Sequence, residues 1–190
     1  MAQAIQTRYR GRNFRSRLEA KWAVFMDHMG VKWEYEPEGF ADERGGRYLP
    51  DFFLPDLNCF LEIKPRKPTD QERDKAWIAV EATGKDLFIL WGEPEDPWNV
   101  LNDSQRGCYG LFRSNRNPKG DEHYEEWFVS DDRYWAWCPA CNTVGIVLSG
   151  ATEKLRCCPK NPGHSLAPVD HEKILQAADK ARNYRFGKIA

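Results

Sequence analysis

Three charged residues, Asp51, Glu62 and Lys64, sit inside the two apolar runs of Tyr48 to Pro65, YLPDFFLPDLNCFLEIKP. Glu62 and Lys64 stand two apart, so on a strand their side chains share a face, while Leu61 and Ile63 take the opposite one against a helix. Pro55, Asp56 and Asn58 supply turn chemistry between the two apolar arms, and a hairpin there brings Asp51 alongside Glu62. Two carboxylates at that spacing repel unless a cation lies between them. A hard divalent ion suits the pair, because Mg²⁺ takes a couple of carboxylates and leaves its other positions to water and phosphate. The backbone carbonyl of Ile63 faces between them as a further oxygen ligand. Lys64 beside such an ion could orient an attacking water and stabilise charge developing on a phosphate. Its alternative role is to neutralise Glu62 on a solvated edge.

Positioning these groups falls to the flanking elements. Phe14, Leu18, Trp22, Phe25, Met26 and Met29 recur at three- and four-residue steps, which predicts a helix over 12–29 closed by Gly30. Glu19 falls at the margin of that apolar stripe, where it can look inward over a sheet. Its other reading is a cap, since Ser16 and Glu19 have capping-box spacing, although the periodicity from Phe14 puts the helix start before Ser16. VKWEYE at 31–36 alternates as a strand does, with Val31, Trp33 and Tyr35 on one face. ADERGG at 41–46 is a loop, a strand runs from Arg47 to Leu54, and CFLEIK forms the next. Thr69 and Glu72 open a second helix with a capping box, Gly84 closes it, and DLFILWG at 86–92 is a short, fully buried strand. The order α-β-β-β-α-β implies an α/β fold, a mixed sheet flanked by helices.

Glu19 on a first helix, then PD at 50–51, then EIK at 62–64, on that order of elements, resemble the PD-(D/E)xK nuclease superfamily, which has the restriction-endonuclease-like fold. RSRLEAKWAVFMDHMGVKWEYEPEGF followed by YLPDFFLP and LEIKP is especially similar to small phage and bacterial proteins of that group. The resemblance covers residues 8–92. It implies a DNA endonuclease that hydrolyses phosphodiester bonds with Mg²⁺ or Mn²⁺. Asp51 and Glu62 would bind the ion together with the Ile63 carbonyl, Glu19 would assist, and Lys64 would serve the water or the transition state. Two rival readings remain open. One is a branched-DNA (Holliday junction) resolvase of the same fold, for which a stable homodimer would be expected because two strands are cut symmetrically. The other is a non-catalytic, zinc-braced nucleic-acid-binding module.

The cysteines cluster towards the C-terminal end. CPAC at 138–141 is a C-x2-C knuckle, and CCPKNPGH at 157–164 offers Cys157 or Cys158 with His164. Two close ligand pairs around the hairpin-like TVGIVLSG have the layout of a structural zinc ribbon, with Zn²⁺ on Cys138, Cys141, Cys158 and His164. Cys158-Pro159 repeats the Cys138-Pro139 pattern and favours Cys158, without excluding Cys157; buried free thiols are the alternative. The expected organisation is a nuclease core over 1–92, an insertion over 93–130, a zinc-ribbon-like region over 131–168 and a closing helix within 169–190. That helix runs from about Asp170 to Phe186, with Ile174, Leu175 and Ala178 facing inward. Cys59, Cys108, His28, His123 and His171 read as structural or incidental.

Composition frames these readings. Of 190 residues, 41% are hydrophobic and 13% aromatic, which excludes a disordered chain. The net charge of −1 conceals an uneven distribution. Arg8, Arg10, Arg12, Arg15, Arg17 and Lys21 face only Glu19, residues 93–132 carry ten acidic side chains against four basic, and the balance from Lys154 onward is eight basic to three acidic. The five arginines from Arg8 to Arg17 are the candidate DNA contacts, because they adjoin the proposed metal site. No apolar run approaches the roughly 20 residues of a membrane span, and the N-terminal residues lack the apolar stretch of a secretory signal. A cytoplasmic protein with no membrane partner is expected, and the resemblance suggests a bacterial or phage-infected cell.

Overall fold

The computed structural model describes residues 4–94, 107–111, 133–137, 142, 144–148 and 172–187. Along the chain, a hairpin (β1, Thr7–Tyr9; β2, Arg12–Phe14) precedes helix α1 (Arg17–Met29). Strand β3 (Glu34–Tyr35) and a second hairpin (β4, Phe40–Ala41; β5, Arg47–Tyr48) lead into β6 (Phe52–Leu54) and β7 (Cys59–Lys64). Helix α2 (Asp70–Thr83), β8 (Asp86–Trp91), β9 (Gly107–Leu111), a third hairpin (β10, Arg133–Trp137; β11, Val144–Leu148) and α3 (Glu172–Asn183) complete the described elements.

The main sheet has the order β3-β6-β7-β8-β9 and is mixed. β7 and β8 run parallel, joined by α2 as a crossover, and the other neighbouring pairs are antiparallel. The alternation of CFLEIK divides its side chains as expected: Leu61 and Ile63 join the core beneath α1, whereas Phe60 joins the smaller core beneath α2. Glu62 and Lys64 follow Phe60 onto the α2 face. Helices therefore cover both faces of the sheet, the expected α/β arrangement.

Helix α1 is bounded by its caps. The Ser16 hydroxyl accepts the Glu19 N–H, and Gly30 ends the helix in the left-handed region at φ 77°. The N–H groups of Gly30 and Val31 return to the carbonyls of Asp27 and Met26, which closes the last turn. The helix thus begins at Arg17, a correction to the expected start at residue 12. Phe14 misled the periodicity because it reaches the same core from a strand, packing on Tyr35 with ring centroids 4.4 Å apart and on Trp33 at 5.8 Å. Arg10 and Gly11 both have positive φ, as a two-residue turn between β1 and β2 requires.

A second correction concerns residues 47–54. The expected single strand is two, β5 and β6, separated at Leu49–Asp51, and β5 pairs with β4 in a hairpin outside the main sheet. Pro50 has no N–H to give a ladder, so the chain breaks there. The connection after residue 92 contains β9, which among the described residues lies at one edge of the main sheet beside β8. In α3, Ile174, Ala177, Ala178 and Ala181 are buried and Leu175 is only half-buried, so the inward stripe is turned slightly from the expected one. These residues share one core with α1, and Trp135 of β10 joins it 5.4 Å from Phe25. Cys59 is buried there too, its thiol pushed up to about 12 by burial, consistent with a purely structural role. No described helix is long and apolar enough to cross a membrane.

The capping box of α2 is complete, with Thr69 and Glu72 exchanging hydrogen bonds, and Glu72 also accepts from Arg66. Partial burial raises the Glu72 carboxyl, but the bonds from Arg66 and Thr69 outweigh it and hold the group at about 2. A folded-state value below the unfolded one gives stability that is present above the unfolded value and is lost as pH falls. Glu72→Gln should therefore melt below wild type at pH 7, and the gap should close between about pH 4.5 and 2. Thr69→Ala should cost about 1 kcal/mol, or roughly 2–4 °C, in thermal unfolding.

Candidate active site

The register of β6 and β7 pairs Phe52 with Leu61, and one further step sets Asp51 opposite Glu62 on the α2 face. Glu36, just past β3, donates its N–H to the Asp51 carbonyl at 2.8 Å and holds Asp51 from the other side. Glu19 reaches in from the first turn of α1. All three candidate carboxylates are buried, Glu19 at 7% exposure, Asp51 at 2% and Glu62 at 6%.

Every oxygen of the three has a donor. The Ser16 hydroxyl donates to Glu19 Oε1 at 2.7 Å, and the Tyr35 hydroxyl donates to Glu19 Oε2 at 2.6 Å. Asp51 Oδ2 accepts the Ile63 N–H at 2.7 Å, and Asp51 Oδ1 accepts from Arg15 Nη2 at 2.5 Å. Glu62 Oε2 accepts from the Tyr48 hydroxyl at 2.8 Å, and Glu62 Oε1 meets Lys64 Nζ at 2.7 Å. Glu19 thus meets the Ser16 cap of α1 through its N–H and one carboxylate oxygen, and reaches Tyr35 of β3 with the other. The backbone of Ile63 is at the site through its N–H.

The electrostatics follow from this crowding. Burial, then the charges of Glu62 and Glu19, push the Asp51 carboxyl well above the usual carboxylate range, against the Ile63 N–H and Arg15, which pull it down. Burial likewise raises the Tyr48 hydroxyl, and Glu62 adds to it. Burial lowers the Lys64 ammonium, but Glu62 and Asp51 outweigh that and leave it raised. Tyr48 and Lys64 are thus a neutral and a cationic donor at pH 7.

The expected arginines separate. Arg15 is a member of the site: its Nε meets Glu36 Oε1 at 2.8 Å, its Nη2 holds Asp51, and its N–H donates to the Tyr35 hydroxyl. Phe14 buried on one side and the Ser16 cap on the other fix its backbone. Arg10 pairs with Asp27 at 2.9 Å, and Arg12 lies 5.9 Å over the Trp33 ring. Arg8 and Arg17 are exposed. Tyr35, Tyr48 and Glu36 were not anticipated. Tyr48 could have been found from its position three residues before Asp51, in an arm whose alternation suggested core alone. Glu36 has a positive φ of 46°, uncommon for a residue with a side chain, and its bonds to Asp51 and Arg15 hold it there.

A cleft of about 800 Å³ opens beside Glu62, lined by Arg15, Tyr48, Glu62 and Lys64 and also by Arg47, Glu72 and Lys75. Among the described residues, no three His, Cys, Asp or Glu side chains converge on a point that would hold a metal as they stand. Each carboxylate is turned to a protein donor instead. The donor set still fits a hard divalent ion: the carboxylate oxygens are hard, Asp51 and Glu62 are adjacent, and the charges of Glu62 and Glu19 both bear on Asp51. Cys138, Cys141, Cys157, Cys158 and His164, the candidate zinc ligands, lie outside the described residues, as do His123 and His171.

Comparison with protein-family models, with curated proteins and with solved structures found no match.

An Asp held above its unfolded value is stabilising at low pH, and that contribution is lost as pH rises. In EDTA, the stability of Asp51→Asn relative to wild type should therefore climb as pH is raised from 4 to 8, as measured by urea denaturation. A difference that is flat across that range would mean that Asp51 is not so crowded.

Proposed function

We propose that the chain is a Mg²⁺- or Mn²⁺-dependent DNA endonuclease with a restriction-endonuclease-like core. The observation that carries this reading is the juxtaposition of buried Asp51 and Glu62, with Glu62 and its partner Lys64 lining an open cleft. Asp51, Glu62 and the Ile63 carbonyl would hold the ion, with Glu19 close enough to bear on Asp51. When bound, the ion supplies Lewis-acid activation of water and charge neutralisation at phosphate.

The remaining chemistry belongs to the chain. Lys64 donates from Nζ, and its position at the mouth of the pair suits a phosphoryl oxygen or a water aligned with it. Tyr48 keeps Glu62 oriented from below. Arg47 on β5 and Lys75 on α2 are exposed, make no ion pair among the described residues, and both line the cleft. They are better placed to meet phosphates beside the scissile one than Arg10 or Arg12, whose charges are engaged elsewhere. For the C-terminal region we retain the zinc-ribbon reading: β10 and β11 are antiparallel and bracket Cys138 and Cys141 in sequence.

With Mg²⁺, the purified protein should nick or cut plasmid, duplex or four-way-junction DNA, and Asp51→Asn or Lys64→Ala should lower the rate at least about a hundredfold. Wild type inert on duplex, single-stranded and branched DNA would end the nuclease reading. Arg47→Ala with Lys75→Ala should reduce the slope of log K against log salt by about 0.9 for each phosphate that is no longer neutralised. Metal analysis should find about one zinc per chain, and Cys138→Ser should lose both the zinc and thermal stability.

A further inference from the structure

We infer that Arg15 is a resident counter-cation, seated where a divalent ion would contact Asp51, that gives up this seat to a substrate phosphate so that ion and polyanion load together. The inference rests on the metal-site reading and adds how this chain would control it.

The six oxygens of the carboxylate cluster fall into two groups. Four are held by donors built into the fold: the Ile63 N–H, the Tyr48 and Tyr35 hydroxyls, and the Ser16 cap. The other two, Asp51 Oδ1 and Glu62 Oε1, are held by the tips of long side chains that line the cleft, Arg15 and Lys64. Asp51 Oδ1 and Glu62 Oε1 are the oxygens not held by the fold's own donors, so an ion that took them would compete with Arg15 and Lys64.

Arg15 is equipped to yield. Its side chain is 52% exposed, against 3% for that of Asp51, and its Nε has a second partner in Glu36. With the backbone pinned at Tyr35, the guanidinium can release Asp51 while Nε stays on Glu36, which turns its outer nitrogens to the cleft. A phosphate is the partner for which a guanidinium exchanges a carboxylate most readily, since both accept its planar fork. Whatever draws Arg15 off Asp51 frees Oδ1. By linkage, the polyanion then tightens the ion and the ion tightens the polyanion by the same factor.

Calorimetric titration of Mn²⁺ into the full-length protein without DNA, paired with fluorescence anisotropy of a labelled duplex in EDTA, tests this. Arg15→Ala should bind Mn²⁺ roughly tenfold more tightly than wild type, the scale of one charge-assisted hydrogen bond, and should bind the duplex more weakly without metal. Arg15→Lys should fall between them for Mn²⁺. A purely structural role for Arg15 would weaken both ligands together, so the opposite signs are diagnostic. Equal or weaker Mn²⁺ binding by folded Arg15→Ala overturns the inference. If Mn²⁺ binding is lost in Asp51→Asn but unchanged in Arg15→Ala, the inference fails and the metal-site reading stands. Tighter Mn²⁺ binding in a protein that cuts no DNA keeps the inference and removes the nuclease. If neither wild type nor Arg15→Ala binds Mn²⁺, both fall.

Discussion

Burying Glu19, Asp51 and Glu62 around one end of β6 and β7 is the constraint to which the surrounding structure answers. Carboxylates withdrawn from water are costly unless each oxygen is bonded, and like charges in one place add to the cost. Six donors meet the demand, and they come from almost every element nearby. Ser16 is there because α1 starts where it does, and Tyr35 because β3 pairs with β6. Ile63 offers its N–H from β7, and Tyr48 arrives on β5. The β4–β5 hairpin, which adds no strand to the main sheet, thus has a definite use: it delivers the hydroxyl that holds Glu62 and forms a wall of the cleft.

Where the sequence was legible, one local rule governed the outcome. Period-two alternation in CFLEIK set the faces of β7, and turn chemistry at Pro55 to Asn58 set the β6–β7 register, so the adjacency of Asp51 and Glu62 could be read directly. Thr69, Glu72 and Gly84 bounded α2 for the same reason. Where two rules overlapped, the reading failed. Phe14 satisfies helical spacing and strand burial equally, and only the Ser16 cap decides between them. In RYLPDFFL the apolar pattern continues through Pro50, whose missing N–H breaks the strand. Tyr35 and Tyr48 look like core residues because they are; what alternation cannot show is that each hydroxyl ends on a carboxylate. Arg15 was seen as a basic residue near the site, but its bond to Asp51 depends on a connection between β2 and α1 whose geometry follows from both neighbours.

The donors differ in kind, and the difference bears on what the cluster is for. Backbone and tyrosine donors are rigid and uncharged, so they orient carboxylates without neutralising them. Neutralisation is left to Arg15 and Lys64, both at the edge of the cleft. A division of that sort keeps the geometry of the acids intact while their charge partners are exchanged.

The charge balance strengthens this point. Three carboxylates face two cations, and Arg15 is shared with Glu36 as well. An ion-pair network that served stability alone would gain from neutrality and would gain more from replacement by apolar side chains. Asp51, the most buried member, remains raised, by burial first and then by the charges of Glu62 and Glu19, despite its bonds to Arg15 and Ile63. Glu62 and its partner Lys64 line an open cleft together with Arg15, and Arg47, Lys75 and Glu72 line it too. A cluster with rigid neutral donors beneath and long charged side chains at the cleft is the arrangement on which the proposed ion site rests.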